Sequence, residues 1–302
     1  MVAEAGGGNV LLASQPVGPA VDALCSLARQ RPEVTFGCLV DNAASLTHIE
    51  AACAPHETAL TLYVDLDVGM HRTGIAPGDA ADKLYRSIHE SGQLAAGGIH
   101  AYDGHIHDSA PAERRRSAAR TRNLAQEMRQ RLIDDGMQVP EIVLGGTPSF
   151  PCHAEAWEPG ITLSPGTYVY FDWGYARRYA DLPFEMAAVV FGRVISVPVP
   201  GRFTVDIGSK AIAADPEQPR GLLLNIPQAE AGPQSEEHWV FTVPNEVTPA
   251  VGDPVYAWPW HICPTIEHYD TVAVISDDGS IEDWWAVNAR GRNTYEYQRA
   301  DT

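Results

Sequence analysis

Leu60-Thr61-Leu62-Tyr63-Val64-Asp65-Leu66-Asp67, running into Val68-Gly69-Met70-His71-Arg72-Thr73-Gly74, decides the fold class. The first of these runs is apolar and β-branched enough for a buried strand, and the glycines that follow end it in a loop. Asp79–Ser91 then places Ala, Leu, Tyr and Ile at helical spacing among charges, so strand, loop and helix succeed one another. The same alternation extends in both directions. Strands are expected over Asn9–Ser14, Val34–Val40, Ala95–Tyr102, Glu141–Gly146 and Thr167–Asp172, and helices over Val17–Arg31, Asn42–Ala54 and Ala112–Gly136. Strands that alternate with helices point to a parallel α/β architecture. Glu113–Arg131, rich in Arg and Ala, reads as a solvated helix face rather than a nucleic-acid surface.

Beyond about residue 185 the helical period disappears. Ala187–Val197, Phe203–Ile207, His238–Val243 and Thr271–Ile275 are β-branched runs separated by Gly and Pro turns, which marks a second, mainly β domain. The chain therefore divides into 1–184 and 185–302. A parallel β/α barrel closes with eight strands, and fewer precede the β domain here. The expected class is α/β + β, a (β/α)8-type barrel lacking its first strands followed by a C-terminal β domain. Met1-Val2-Ala3-Glu4-Ala5 reads as the last turn of a helix whose earlier turns are absent, so an N-terminally shortened chain with an open sheet edge is expected.

With 302 residues, 45% of them hydrophobic, the chain can build a real core. Its 39 acidic against 21 basic residues give a net charge of −18, which repels nucleic-acid phosphates and anionic membranes and leaves a small molecule as the expected partner. No apolar stretch approaches the roughly 20 residues of a membrane span, and the N-terminus lacks a signal-peptide plan. A cytoplasmic protein is expected. Cys25, Cys38, Cys53, Cys152 and Cys263 are odd in number and scattered, which reads as reduced thiols.

Five segments carry chemistry. Residues 65–74 put one arginine, Arg72, in a Gly-flanked loop at a strand end, either facing an active site or paired with Asp65 or Asp67. His100-Ala101-Tyr102-Asp103-Gly104-His105-Ile106-His107-Asp108 crowds three histidines, a phenol and two carboxylates into one loop. A His105/His107 metal site, contacts of Tyr102 and the histidines with a polar ligand, and plain exposed histidines all remain open there. Gly145-Gly146-Thr147-Pro148 and Ser164-Pro165-Gly166-Thr167 could each present amides and hydroxyls to a phosphate, or be turns. In Trp258-Pro259-Trp260-His261-Ile262-Cys263-Pro264-Thr265, His261 and Cys263 lie two apart. On an extended segment they would point to one side and could share a divalent metal; a buried cysteine beside a structural histidine is the alternative.

Taken in order, these segments resemble the D-threonine aldolase and D-serine dehydratase family of pyridoxal-phosphate enzymes with an alanine-racemase-like barrel (fold type III). The resemblance extends through Asp206-Ile207-Gly208-Ser209-Lys210 and Ser235-Glu236-Glu237-His238. It implies that Arg72 and Tyr102 lie beside the pyridoxal 5'-phosphate ring and that Gly145, Gly146, Thr147, Gly166 and Thr167 hold its phosphate. His261 and Cys263 would be ligands of a catalytic zinc or another divalent ion, the soft thiolate favouring zinc. Members with His-x-Asp at this point look aldolase-like, and His-x-Cys looks like the dehydratase branch. The family's Schiff-base lysine lies upstream of these motifs, and neither Lys83 nor Lys210 matches it, so no catalytic base is assigned.

The resemblance implies a lyase for D-3-hydroxy-amino acids, converting D-serine to pyruvate and ammonia. The alternative is retro-aldol cleavage to glycine and an aldehyde. From another class comes a non-catalytic remnant without its lysine. A homodimer is the implied assembly.

Overall fold

The computed structural model describes residues 1–56 and 58–290. Contacts divide the chain into two compact units, Met1–Gly166 and Thr167–Thr302. The first unit contains β1 (Asn9–Leu12), α1 (Pro19–Gln30), β2 (Thr35–Val40), α2 (Ala43–Cys53), β3 (Thr61–Asp65), α3 (Asp79–Glu90), β4 (Ala95–Ala101), α4 (Pro111–Asp134), β5 (Glu141–Leu144), α5 (Phe150–Glu155) and β6 (Ile161–Leu163). Its six strands form one parallel sheet in chain order, each paired with the next.

A parallel sheet of this kind needs strands buried on both faces, and β2, Thr35-Phe36-Gly37-Cys38-Leu39-Val40, is buried over its last five residues. The helices close the core with one face each. On α3, Ala81, Leu84, Tyr85 and Ile88 are buried, and the Tyr85 hydroxyl reaches the Gln138 carbonyl at 2.7 Å. Leu84 and Ile88 each contribute about 1.5–3 kcal/mol by leaving water, and the Ala81 methyl about 0.8 kcal/mol. Asn42 caps α2 by accepting from the Ser45 amide at 2.8 Å.

Among the described residues the sheet does not close, since β1 pairs with β2 alone and β6 with β5 alone. Apolar surface lies exposed around β1, with Leu12 40% and Val17 62% accessible. Residues 2–6 form a turn in which the Ala5 amide bonds the Met1 carbonyl. The sixth strand is not where the sequence reading put it. Thr167–Val169 is a 3-10 turn, and Ile161–Leu163 takes the place beside β5. Three residues are too short to show a period, and Gly166 ends any extended run before Thr167.

The cysteines also depart from expectation. Cys25 and Cys53 form a disulfide, leaving Cys38, Cys152 and Cys263 as thiols. The reason is tertiary: α1 and α2 pack side by side and bring the two Cα atoms to 5.5 Å, inside the range a disulfide spans.

The second unit contains α6 (Trp173–Arg178), β7 (Val190–Val199), β8 (Arg202–Val205), β9 (Gly221–Leu223), β10 (Glu230–Gln234), β11 (Trp239–Thr242), β12 (Pro254–Pro259), α7 (Ile262–Ile266), β13 (Thr271–Ile275) and β14 (Ile281–Ala286). Six of its strands make a sheet ordered β10-β11-β8-β7-β12-β9, and β13 and β14 form a separate hairpin. Alternation sets the inner face: Val190 and Val194 of β7 are buried while Phe191 and Ile195 are exposed. Trp239, Phe203, Phe241 and Val255 fill the core. No described helix is long and apolar enough to cross a membrane.

Candidate functional site

In the first unit, the candidate residues gather at the C-terminal ends of β3, β4 and β5. Asp65 closes β3 and bonds His100 Nδ1 at 2.7 Å with both side chains buried, while the Thr73 hydroxyl donates to its other oxygen at 2.8 Å. Asp67 organises the following loop: it accepts from the Gly69 and His71 amides at 3.0 Å each and meets His71 Nδ1 at 2.8 Å. Partial burial pushes this carboxyl up, but those bonds outweigh it and hold Asp67 below the usual carboxylate range. Both acids are thereby taken, and Arg72 pairs with neither. Its guanidinium lies over the Tyr102 ring, 4.9 Å from the centroid. Tyr102 in turn covers Gly104, where any Cβ would collide with the ring.

Beneath Tyr102 lies a buried network that sequence spacing did not reveal. The Ser149 hydroxyl donates to Asp103 Oδ1 at 2.6 Å, and His153 Nε2 meets Asp103 Oδ2 at 2.8 Å. All three residues are at most 1% exposed. Ser149 also accepts from the Gly146 amide at 3.1 Å, which pins the Gly145–Pro148 loop to the strand end.

That bond limits which amides of the loop remain open to a phosphate. The Gly146 amide is spent on Ser149, and the Gly145 amide, at a φ of 92°, continues the sheet to the Ala101 carbonyl. Thr147, only 4% exposed, and Gly166, where a side chain would meet nothing within 4 Å, keep amides uncommitted among the described residues. These residues and the Arg72–Tyr102 pair suit a phosphate and an aromatic ring. Neither lysine supplies a covalent attachment. Lys83 is exposed on α3, and Lys210 Nζ is held in the second unit by Glu236 at 2.8 Å and Glu237 at 2.9 Å.

In the second unit, β12 delivers Trp260 and His261 to the start of α7. His261 is the N-cap residue and Cys263 lies in the helix, so the extended geometry expected for the pair does not occur. Pro264 is tolerated because it falls in the first turn, and the Thr265 hydroxyl bonds back to the His261 carbonyl at 2.7 Å. The two side chains nevertheless come together, because the helical turn folds Cys263 back toward the imidazole. The Cys263 sulfur raises the His261 pKa to about 9; burial opposes this and Asp215 adds to it. The same imidazole, against burial and helped by Thr167, lowers the Cys263 thiol. Asp215 Oδ2 stands 2.6 Å from His261 Nδ1, and Thr167 Oγ1 lies 3.3 Å from Cys263 Sγ. Asp172 accepts from the Ile262 amide at 3.1 Å and tethers the helix start.

The donor set fits a zinc-type ion. A carboxylate on Nδ1 orients the imidazole and the thiol is biased toward its ligating form, while the imidazole, raised to about 9, would give up its proton on taking a metal. No group of three or more His, Cys, Asp or Glu side chains able to hold a metal occurs among the described residues, so this pair would leave most of the coordination open. His105, His107 and Asp108 form no such group either. Asp215 lies 46 residues from His261 and has no sequence signal that could have linked them.

Comparison with known proteins finds two family descriptions, one covering most of the first unit and the start of the second, the other within the second. Residues 23–172 match the family described as alanine racemase, N-terminal domain, and residues 187–275 match the putative serine dehydratase domain. A D-threonine aldolase of Arthrobacter sp is 28% identical over 289 residues, covering 94% of this chain and 74% of the relative. The D-threo-3-hydroxyaspartate dehydratase of Delftia sp. (strain HT23) is 23% identical over 271 residues, covering 82% and 70%. The crystal structure of D-threonine aldolase from Filomicrobium marinum superposes with a TM-score of 0.87 at 28% identity, covering 95% of this chain and 78% of that one.

Proposed function

We propose a function from one premise: the chain belongs to the D-threonine aldolase and D-serine dehydratase family of alanine-racemase-like, fold-type III proteins. The proposal is a lyase for D-3-hydroxy-amino acids that uses pyridoxal 5'-phosphate and a divalent metal, of D-serine dehydratase type. The observation that carries it is the His261–Cys263 pair with Asp215 behind the imidazole. The barrel part is taken as 1–184 and the β domain as 185–302, a division that falls between the two family matches.

When bound, the cofactor supplies an electron sink for charge at Cα, and the ion a Lewis acid for the 3-hydroxyl. In the first unit, Arg72 and Tyr102 would flank the ring, and Gly145, Gly146, Thr147 and Gly166 would line its phosphate. Ser149 and Asp103 would hold that loop in place before any ligand arrives. In the second unit, His261 and Cys263 would hold the ion, preferably zinc. Thr167, assigned to the phosphate by family resemblance, also has its hydroxyl against Cys263 and would orient the thiolate. No residue of this chain is assigned the proton transfer at Cα.

D-Threonine aldolase chemistry is the second reading, supported by the higher identity to aldolases, 28% against 23% for the dehydratase. The positions of Lys83 and Lys210 support a third, a non-catalytic remnant. One experiment separates them. Protein supplied with pyridoxal phosphate and zinc is given D-serine and D-threonine in turn, and products are assayed along with bound zinc. Pyruvate from D-serine is the expected result, and glycine with acetaldehyde from D-threonine would move the assignment to the aldolase. Neither product, with no imine absorbance and no zinc, would leave the remnant.

A further inference from the structure

The loop after β4 has a second use that the lyase reading does not touch. His105, Ile106, His107 and Asp108 line a cavity of about 470 Å³ together with Val68, Ser117, Arg120 and Thr121. It lies wholly in the first unit, between the β3 and β4 loops and the exposed flank of α4, and shares no lining residue with the Arg72, Tyr102 and Gly145–Thr147 cluster.

Three features give the cavity its chemistry. Arg120 presents its guanidinium at the wall, held by a 2.8 Å bond to the Ser117 hydroxyl, the one hydrogen bond it makes among the described residues. His105 lines the cavity with its ring, while its Nδ1 is buried away from the cavity with no hydrogen-bond partner. The ring is held so because Gly69, at a φ of 122°, brings its backbone against it: a Cβ there would stand 2.8 Å from His105 Nε2. His107 and the buried Thr121 add further polar groups, while Asp108 is the one carboxylate at the wall. In a chain of net charge −18, the wall sets one fixed cation, Arg120, against one carboxylate, with the imidazole of His107 and the hydroxyls of Ser117 and Thr121 as further hydrogen-bonding groups, so an anion would meet its countercharge at Arg120. Its volume is that of a small molecule rather than a peptide or a nucleic acid.

We propose that this cavity is a second site, for a small oxyanion such as inorganic phosphate or a short dicarboxylate, with Arg120 as the charge anchor and the Ser117 and Thr121 hydroxyls beside it. Arg120 meets planar carboxylates and phosphates through two parallel donors, and Ser117 keeps it aimed at the cavity.

The test is calorimetric titration of the full chain with inorganic phosphate and, separately, with malonate. Both should bind, and Arg120→Ala should weaken each at least tenfold, with unchanged circular dichroism, because Arg120 is exposed and carries no core contact. Ser117→Ala should also weaken binding of both anions, by releasing Arg120 from the position it holds at the wall. Thr147→Ala, in the cofactor loop, should leave malonate binding at its original strength, which separates this site from the proposed lyase site. Phosphate binding lost in Thr147→Ala but kept in Arg120→Ala would overturn the proposal. So would an absence of binding by either anion, or a site that takes zinc through His105, His107 and Asp108 in place of anions.

Discussion

The Asp103 network and the His261–Cys263 pair are built from similar groups, yet they differ in what surrounds them. Asp103, Ser149 and His153 sit in the first unit at 1% exposure or less, and Asp103 has a partner on each oxygen. Cys263 is exposed and His261 is half-open in the second unit, and each pushes the other's pKa. Burial with partners fixes geometry, because leaving any one group unpaired is costly. Exposure with mutual perturbation leaves side chains ready to bind or react. The first region holds a loop in place, and the second is equipped to take an ion.

Substitution in each region tests that difference. Asp103→Ala strands two buried partners and should cost about 3–5 kcal/mol, read from urea unfolding. A loss below about 1 kcal/mol would erase the contrast. Cys263→Ala should abolish stoichiometric zinc by elemental analysis while unfolding stability moves by less than about 1 kcal/mol, since nothing buried depends on the sulfur. Asp215→Ala should weaken zinc about 10–100-fold by releasing the imidazole it orients, with zinc still binding at high concentration.

Thiol labelling sharpens the same comparison without mutation. In metal-free protein at neutral pH, iodoacetamide should modify Cys263 first, because it is exposed and its thiol lies below the usual value. Cys38, whose pKa burial pushes up to about 12, should react only after unfolding, and zinc should protect Cys263. Early labelling of Cys38 would show that the first core opens more readily than its burial implies. The smallest effect is expected at Arg72, exposed over Tyr102. Arg72→Leu should change stability by about 0.5–1 kcal/mol, so proximity to the buried network does not make a residue part of it.

Much of this architecture was legible in residue order. The strands of the first unit up to β5 and the four long helices fall within a few residues of their expected positions, because apolar periodicity is a local property of the chain. The motifs at the strand ends were legible for the same reason. β6 was not: Ile161-Thr162-Leu163 has no alternation to show, and the Gly166-Thr167 turn after it resembled a strand start. His261 and Cys263 were found by spacing, but the extended geometry used to join them was replaced by a helix start.

By itself, the order of residues determined two kinds of structure, parallel α/β then antiparallel β, and which loops carry titratable groups. Tertiary packing alone decided which of those groups meet. It brought Asp215 to His261 across 46 residues, Asp103 to His153 across 50, and Cys25 to Cys53 across 28. Secondary structure is written in neighbours along the chain, whereas a hydrogen bond or a disulfide depends on distances that only the packed fold sets.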